Sequence, residues 1–279
     1  MLVGCCVNFL PKEKGAAGEE YAETIKKCGF DYIELPLGQA VMKTDKEFAQ
    51  MCRRLKDVNL PVYSCNNFFA EELKLVGENV NEKKVESYCR QALPMAEELG
   101  CRYAVLGSPW SKNCPAGFSR ERAFEQLVEW CKRIGDMAAE HNITVALEPN
   151  NREETNMINT FEDAVGLARA VSHPNIKCLQ DYYHLRKEND TVESMEQYGK
   201  EYLVHAHFAR IEKRGFPAGA QEDPYYSEFF RALNKIGYRG GISMEGFPES
   251  RSTFEEEART ACSLMKELIL KEQASGCRE

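Results

Sequence analysis

Short apolar runs alternate with longer amphipathic segments along this chain. Runs of six to eight residues with few polar interruptions indicate buried strands, and they occupy 2–9, 31–37, 60–65, 101–107, 143–148, 176–181, 202–208 and 240–246. Most segments between them carry apolar residues at helical spacing, for example 45–59, 81–100 and 123–142. Strands that alternate with helices pair in parallel, so the pattern predicts an α/β protein with a parallel sheet.

Eight such strands in 279 residues favour a closed (β/α)8 barrel, a TIM barrel, over an open doubly wound sheet. Neither the first run nor the run after Pro61 leads into the GxGxxG turn of a dinucleotide-binding domain. The chain has no linker, low-complexity tract or change in composition along its length. We therefore expect a single barrel domain over residues 1–279.

Metal-competent side chains stand at the ends of four consecutive predicted strands. Glu148 closes the fifth run directly before Pro149, which prevents further strand pairing. The corresponding residues of the next three runs are Asp181, His207 and Glu245. In a barrel the carboxyl ends of all strands meet at one mouth, and active sites lie there.

Three carboxylates buried together repel one another, and a divalent cation removes this repulsion. Three oxygen ligands and one imidazole suit Mn²⁺, Mg²⁺ or Co²⁺ better than a metal that prefers thiolates. One such residue alone is more often a helix cap, an ion-pair partner or a core histidine, but four on adjacent strands favour a shared role. We therefore predict one metal site formed by Glu148, Asp181, His207 and Glu245.

Two further polar residues lie on the predicted strands. His205 precedes His207 by two positions, so both side chains point into the barrel, and we interpret His205 as a structural or supporting residue. Glu34 also lies near a strand end, but it is distant from the four in strand order. We interpret Glu34 as a packing residue or as a residue at the edge of a substrate pocket.

The composition is that of a globular protein, with 43% hydrophobic and 29% charged residues. A net charge of −8 and a pI near 5.4, without a basic stripe, argue against a nucleic-acid partner. No apolar stretch approaches the ~20 residues of a membrane span, and the first segment lacks the features of a secretory signal. With 12 scattered cysteines and no CxxC motif, we expect a cytoplasmic protein with reduced core thiols.

Four sequence strings carry a resemblance to a known family. They are LEPNNREETNMINT from 147, LQDYYH from 179, HAHFARIEKRGFPAG from 205 and ISMEG from 242. These strings resemble the sugar isomerase/epimerase superfamily with xylose-isomerase-like barrels, and within it the ketose 3-epimerases of the tagatose/allulose type. The motifs that carry the resemblance lie within residues 100 to 250, and the alternation of strands and helices covers the whole chain.

The resemblance implies a function for the predicted site. Glu148, Asp181, His207 and Glu245 would hold one divalent metal, most often Mn²⁺, with Mg²⁺, Co²⁺ or Zn²⁺ as alternatives. The oxygens of a sugar or sugar derivative would be bound by Glu154, His184 and Arg214. Members of the superfamily are often homo-oligomers, either dimers or tetramers.

Two features differ from the family pattern. The loop before Arg214 is about one residue longer, which makes Lys213 an alternative for the same role. The apolar wall that such enzymes build from the early loops is represented here by Phe68, Phe69 and Trp110. The sugar that the pocket accepts depends on that wall.

The residues themselves suit proton transfer beside a ketone. Epimerisation needs a base on one face of the reacting carbon and an acid on the other, and Glu148 and Glu245 are expected on either side of the metal. Taken with the resemblance and with Glu154 and His184, this chemistry favours a ketose 3-epimerase that acts through a metal-stabilised enediolate. A hydroxypyruvate or aldose isomerase, an inosose dehydratase and a C-glycoside lyase remain alternatives, because they share the four metal positions.

A DNA repair enzyme of the endonuclease IV type is less compatible with the sequence. It would need a histidine-rich cluster of three metals and a basic groove, whereas this chain has five histidines and an acidic pI. A non-catalytic sugar-binding relic predicts the loss of a ligand, and none of the four is missing.

Overall fold

Eight parallel strands close into a barrel in the order in which they occur in the chain, and the first strand pairs with both the second and the eighth. A computed structural model describes residues 1–10 and 12–276. The strands are β1 (Leu2–Cys6), β2 (Tyr32–Pro36), β3 (Val62–Asn66), β4 (Tyr103–Leu106), β5 (Thr144–Leu147), β6 (Ile176–Asp181), β7 (Leu203–Phe208) and β8 (Gly241–Met244). The predicted TIM barrel is confirmed.

Helices follow the strands and surround the barrel. They are α1 (Ala22–Cys28), α2 (Leu37–Val41), α3 (Asp45–Val58), α4 (Glu82–Glu98), α5 (Pro109–Lys112), α6 (Arg120–Ala139), α7 (Phe161–Val171), α8 (Tyr182–Lys187), α9 (Glu193–Tyr202), α10 (Tyr225–Lys235) and α11 (Phe254–Gly276), with 3₁₀ turns at Glu19–Tyr21, Glu212–Arg214 and Ala220–Glu222. The described part of the chain contains no helix that is both long enough and apolar enough to cross a membrane.

The observed strands are mostly shorter than the apolar runs that predicted them. β5 ends at Leu147 and β8 at Met244, so Glu148 and Glu245 stand just beyond the paired residues. Their backbone N–H groups still donate to the preceding strands, from Glu148 to Leu106 O at 3.3 Å and from Glu245 to Phe208 O at 3.0 Å. These bonds hold both carboxylate residues at the mouth.

The inside of the barrel differs between its two sides. An apolar cluster of Val105, Ala146 and Leu179 fills the space beside β4, β5 and β6. Across the barrel, Glu34 on β2 and His205 on β7 are fully buried and bonded to each other, at 2.8 Å between Oε2 and Nε2. A polar network therefore occupies the side of the barrel that lies under Glu245 and His207.

Candidate active site

The four predicted metal ligands lie together at the mouth of the barrel. One ligand atom from each of Glu148, Asp181, His207 and Glu245 lies within 4.8 Å of the others, and all four residues are buried. His207 Nδ1 lies between two carboxylates, 3.1 Å from Glu148 Oε1 and 3.0 Å from Glu245 Oε2. Ligands that share an ion at about 2.2 Å lie up to about 4.4 Å apart, so the group is close to the size that one cation requires.

Glu34 orients His207 from below. Its Oε1 lies 3.0 Å from His207 Nε2, which leaves Nδ1 facing the other carboxylates. Metal-binding histidines commonly donate their second N–H to a carboxylate in this way, and the contact fixes the tautomer and the ring. Glu34 Oε2 also accepts from His205 at 2.8 Å and from Ser64 at 2.7 Å, and Ser243 contacts the same oxygen.

The position of Glu34 decides between the two interpretations made from the sequence. It is fully buried beneath the mouth, so it does not form the edge of an open pocket. Its oxygens are bonded to two histidines and two serines, so Glu34 is the centre of a hydrogen-bond network that holds His205 and His207. His205, as expected, supports this network.

Burial and neighbouring charges shift the pKa values of Asp181, His207 and Glu245. Burial raises the pKa of Asp181 to about 7; Arg214 opposes the shift, and Glu245 and Glu148 add to it. Burial would lower the pKa of His207, but Glu245, Glu34 and Glu148 hold it well above its usual range. Burial would raise the pKa of Glu245, but His207 and Arg214 lower it to about 2. Excess negative charge therefore makes this site favourable for a cation.

The donor set fits a divalent metal. Three carboxylates and one neutral imidazole are ligands that such ions accept, and Glu34 supplies the outer partner that orients the imidazole. Glu148, Asp181, His207 and Glu245 would hold the ion.

His184 is placed beside the group with a defined tautomer. Its Nδ1 accepts from the backbone N–H of Asn151 at 3.1 Å and from Asn151 Nδ2 at 2.8 Å, so the proton resides on Nε2. That Nε2 lies 3.6 Å from Asp181 Oδ2 and 3.9 Å from Glu154 Oε2. Burial, with a contribution from Arg214, holds the pKa of His184 well below its usual range, which keeps the ring neutral.

Arg214 reaches into the carboxylate cluster. Its Nη2 lies 2.8 Å from Asp181 Oδ2 and 2.5 Å from Glu245 Oε2, and its Nη1 lies 3.6 Å from Glu154 Oε1. Lys213, the alternative from the sequence, is exposed. Both residues adopt positive φ, 55° and 48°, and this tight turn directs the Arg214 side chain inward.

Two residues of the predicted apolar wall pack into the core. Phe68 and Phe69 are fully buried and pack on each other and on Tyr88. Trp110 is half-buried, and its indole N–H donates to Ala70 O at 3.0 Å. Phe68 and Phe69 fill the space between the barrel and α4, where large apolar side chains are usually buried.

Sequence reasoning missed two buried polar residues of the site. Lys112, 2% exposed, donates from Nζ to the backbone carbonyl of Glu148, and burial lowers its pKa to about 8 although Glu148 and Glu154 oppose the shift. Asn66 donates from Nδ2 to Glu245 Oε1 at 2.9 Å. Asn66 ends β3, so the strand-end rule that found the four ligands also applies to it, whereas Lys112 lies on a four-residue helix without a periodic pattern.

Residues 22–268 match a family model described as a xylose isomerase-like TIM barrel. The chain belongs to this family. An L-ribulose 3-epimerase of Methylomonas sp. (strain DH-1) is 28% identical over 225 residues, which is 79% of this chain and 75% of that protein. An inosose isomerase of Bacillus velezensis is 23% identical over 283 residues, which is 95% of this chain and 97% of that one.

Solved structures share the fold of this xylose isomerase-like barrel. A D-psicose 3-epimerase from Clostridium cellulolyticum H10, solved with D-tagatose, superposes with a TM-score of 0.84 at 20% identity and covers 96% of this chain and 99% of its own. The relatives by sequence are sugar epimerases and isomerases. The chain is therefore an isomerase of this general class.

Proposed function

We propose that this protein is a divalent-metal-dependent ketose 3-epimerase in which Glu148 and Glu245 exchange protons with the substrate. The observation that carries the proposal is that both carboxylates approach the same atom, His207 Nδ1, at 3.1 and 3.0 Å. Epimerisation requires proton removal from one face of a carbon and proton return to the other face. Two glutamates that converge on one metal position supply the two proton-transferring groups that the reaction needs.

A bound divalent ion, for which Mn²⁺ is our first choice, would act as a Lewis acid and stabilise negative charge on the carbonyl oxygen. The other parts of the reaction fall to the chain itself. One glutamate accepts the proton from C3, which leaves an enediolate, and the other donates a proton to the opposite face. The product then differs from the substrate at C3. The glutamate that began ionised ends protonated, and the glutamate that began protonated ends ionised.

The remaining polar residues suit the binding of sugar hydroxyl groups. Neutral His184 offers an N–H donor from Nε2, and Glu154 offers a carboxylate acceptor 3.9 Å away. The guanidinium of Arg214 carries a positive charge next to Asp181 and Glu245, so it also offsets the charge of an enediolate. These three residues would fix the substrate so that C3 faces the two glutamates.

Deuterium exchange tests the proposal directly. The Mn²⁺-loaded protein is incubated in D₂O with a panel of ketohexoses and ketopentoses, the metal and protein are removed, and the sugars are read by NMR. We expect deuterium at C3 together with the C3 epimer. Glu148→Gln serves as the matched control, because it keeps a side chain of the same size and removes one proton acceptor.

Other outcomes would replace the proposal. An aldose product with deuterium at C2, together with deuterium at C1 of the recovered ketose, would make the protein a ketose–aldose isomerase. No exchange with any ketose, but turnover of an inosose, of hydroxypyruvate or of a C-glycoside, would assign it to one of the alternative reactions on the same barrel.

A further inference from the structure

The buried amide of Asn66 is not used in the reaction as described so far. Asn66 is the last residue of β3 and is 2% exposed. Its Nδ2 donates to Glu245 Oε1 at 2.9 Å, and the Cys6 thiol lies 3.7 Å from the same oxygen. The other oxygen of Glu245, Oε2, faces His207 and Arg214.

The orientation of this amide is determined by its partner. A carboxylate only accepts hydrogen bonds, so the nitrogen of Asn66 must face Glu245 and its oxygen must face away. Asn66 Oδ1 is buried and has no hydrogen-bond partner in the described part of the chain. Buried acceptors are nearly always paired, so an unpaired one beside a reacting group indicates a missing donor.

The missing donor must lie close to Glu245. The amide nitrogen and oxygen are about 2.3 Å apart by covalent geometry, and Nδ2 is 2.9 Å from Glu245 Oε1. Asn66 Oδ1 therefore lies within about 5 Å of Glu245 Oε1. A substrate carbon that gives its proton to Glu245 Oε1 would place its own hydroxyl group in this region.

We propose that Asn66 binds the hydroxyl group on the carbon whose proton is moved, through a hydrogen bond to Oδ1, while its Nδ2 holds Glu245. Asn66 thereby selects ketones with a hydroxyl group at the reacting carbon over ketones that lack it. This inference rests on the proposed function, since it needs C3 of a ketose beside Glu245.

The test compares Asn66→Leu with the wild type on two substrates. One substrate is the preferred ketose, and the other is its 3-deoxy analogue, which keeps an exchangeable proton at C3 but has no hydroxyl group there. Deuterium uptake at C3 is measured for both, and kcat and KM are obtained separately. The Mn²⁺ affinity and the thermal midpoint of each variant are measured in parallel.

We expect Asn66→Leu to lose at least about 10-fold more kcat/KM on the ketose than on the deoxy analogue, because only the ketose makes the lost bond. Because Asn66 Nδ2 also holds the candidate ligand Glu245, Mn²⁺ affinity should fall as well, so both substrates are compared at saturating Mn²⁺. Asn175→Leu is the control: its Nδ2 donates to Ile143 O at 2.9 Å just ahead of β5, at the end of the barrel away from the mouth, and both substrates should react as with wild type.

Equal losses on both substrates would overturn the hydroxyl contact and leave Asn66 as a positioning residue for Glu245. No loss on either substrate would overturn the inference completely. If Asn66→Leu does not fold, Asn66→Ala is used instead, because it only removes atoms. Its loss of kcat/KM on the ketose is compared with its loss on the deoxy analogue in the same way. Absence of exchange in the wild-type protein with every ketose would overturn the proposed function, and this inference with it.

Discussion

At the scale of single residues, the site depends on glycine as well as on charged side chains. Gly107 follows β4, next to Glu148 at the end of β5. A Cβ atom built on Gly107 would lie 1.8 Å from Glu148 Oε2 and 3.0 Å from its Cδ. The absence of a side chain at position 107 therefore leaves the space that the Glu148 carboxylate occupies.

Gly107→Ala should displace the Glu148 carboxylate and weaken metal binding. A candidate ligand that moves by even 1 Å loses its geometry, so we expect Mn²⁺ affinity to fall at least about 10-fold. Isothermal titration calorimetry with Mn²⁺ measures this loss. Gly166→Ala is the control, because nothing lies within 4 Å of its Cβ position in α7 and alanine favours a helix. Equal affinities in the two variants would contradict the close approach at Gly107.

Glu245→Gln should preserve the fold and abolish most of the turnover. The amide keeps the size of the side chain and an oxygen for the metal, but it neither accepts nor returns a proton at C3. We expect kcat to fall by about 100- to 10,000-fold. The exchange assay in D₂O measures kcat, and a thermal midpoint close to that of wild type shows that the fold is intact. A rate near that of the wild-type protein would show the two-glutamate mechanism to be wrong.

At the scale of elements, helix ends hold the loops that carry site residues. α7 begins after the loop that contains Asn151 and Glu154, and Thr160 and Asp163 form a capping box at its first turn. Thr160 Oγ1 accepts from the Asp163 backbone N–H at 3.1 Å, and Asp163 Oδ2 accepts from the N–H groups of Thr160 at 3.0 Å and Asn159 at 2.9 Å. The cap therefore fixes the end of this loop.

Thr160→Ala should destabilise the protein by about 1 kcal/mol, because loss of the Thr160 hydroxyl group leaves one backbone N–H of α7 without its acceptor. Urea unfolding followed by circular dichroism gives this value. Ser87→Ala, at an exposed position inside α4, is the control and should leave stability unchanged or slightly higher. An unchanged free energy of unfolding for Thr160→Ala would show that the capping box contributes nothing to stability.

At the scale of the whole molecule, the eight strands were predictable because strands of a parallel barrel are buried on both faces and therefore appear as continuous apolar runs. The four candidate ligands were predictable for a related reason, since adjacent strand ends converge at one mouth. Short helices such as α5 and α8 were not predictable, because four to six residues are too few to show the helical repeat of apolar positions.

The closure of the barrel explains why the role of Glu34 was not predicted. In strand order, β2 is far from β7, yet in a closed barrel their inward side chains meet across the interior. Glu34 thus reaches His207 at 3.0 Å, a contact that no local pattern in the sequence reveals. The orientation of Asn66, at the end of β3, depends in the same way on Glu245, which follows β8 and is separated from β3 by β1 and β2.

The accumulation of buried charge makes metal binding dependent on pH. Without metal, carboxylates hold the pKa of His207 well above its usual range against the effect of burial, and burial raises the pKa of Asp181 to about 7. His207 and Asp181 bind the ion only when deprotonated, so the ion displaces a proton from His207 and, below pH 7, a second proton from Asp181. Affinity should therefore fall as the pH falls, and more steeply below pH 7 than above it.

Calorimetric titrations with Mn²⁺ at pH 8, 7 and 6, each in two buffers with different heats of ionisation, give both the affinity and the number of protons released. We expect the number of protons released to rise by about one between pH 8 and pH 6, as Asp181 becomes protonated in the free protein. Asp181→Asn should bind Mn²⁺ more weakly and lose this increase, because that titrating group is gone. An affinity that is the same at pH 6 and pH 8 would mean that Mn²⁺ binds elsewhere than at Asp181 and His207.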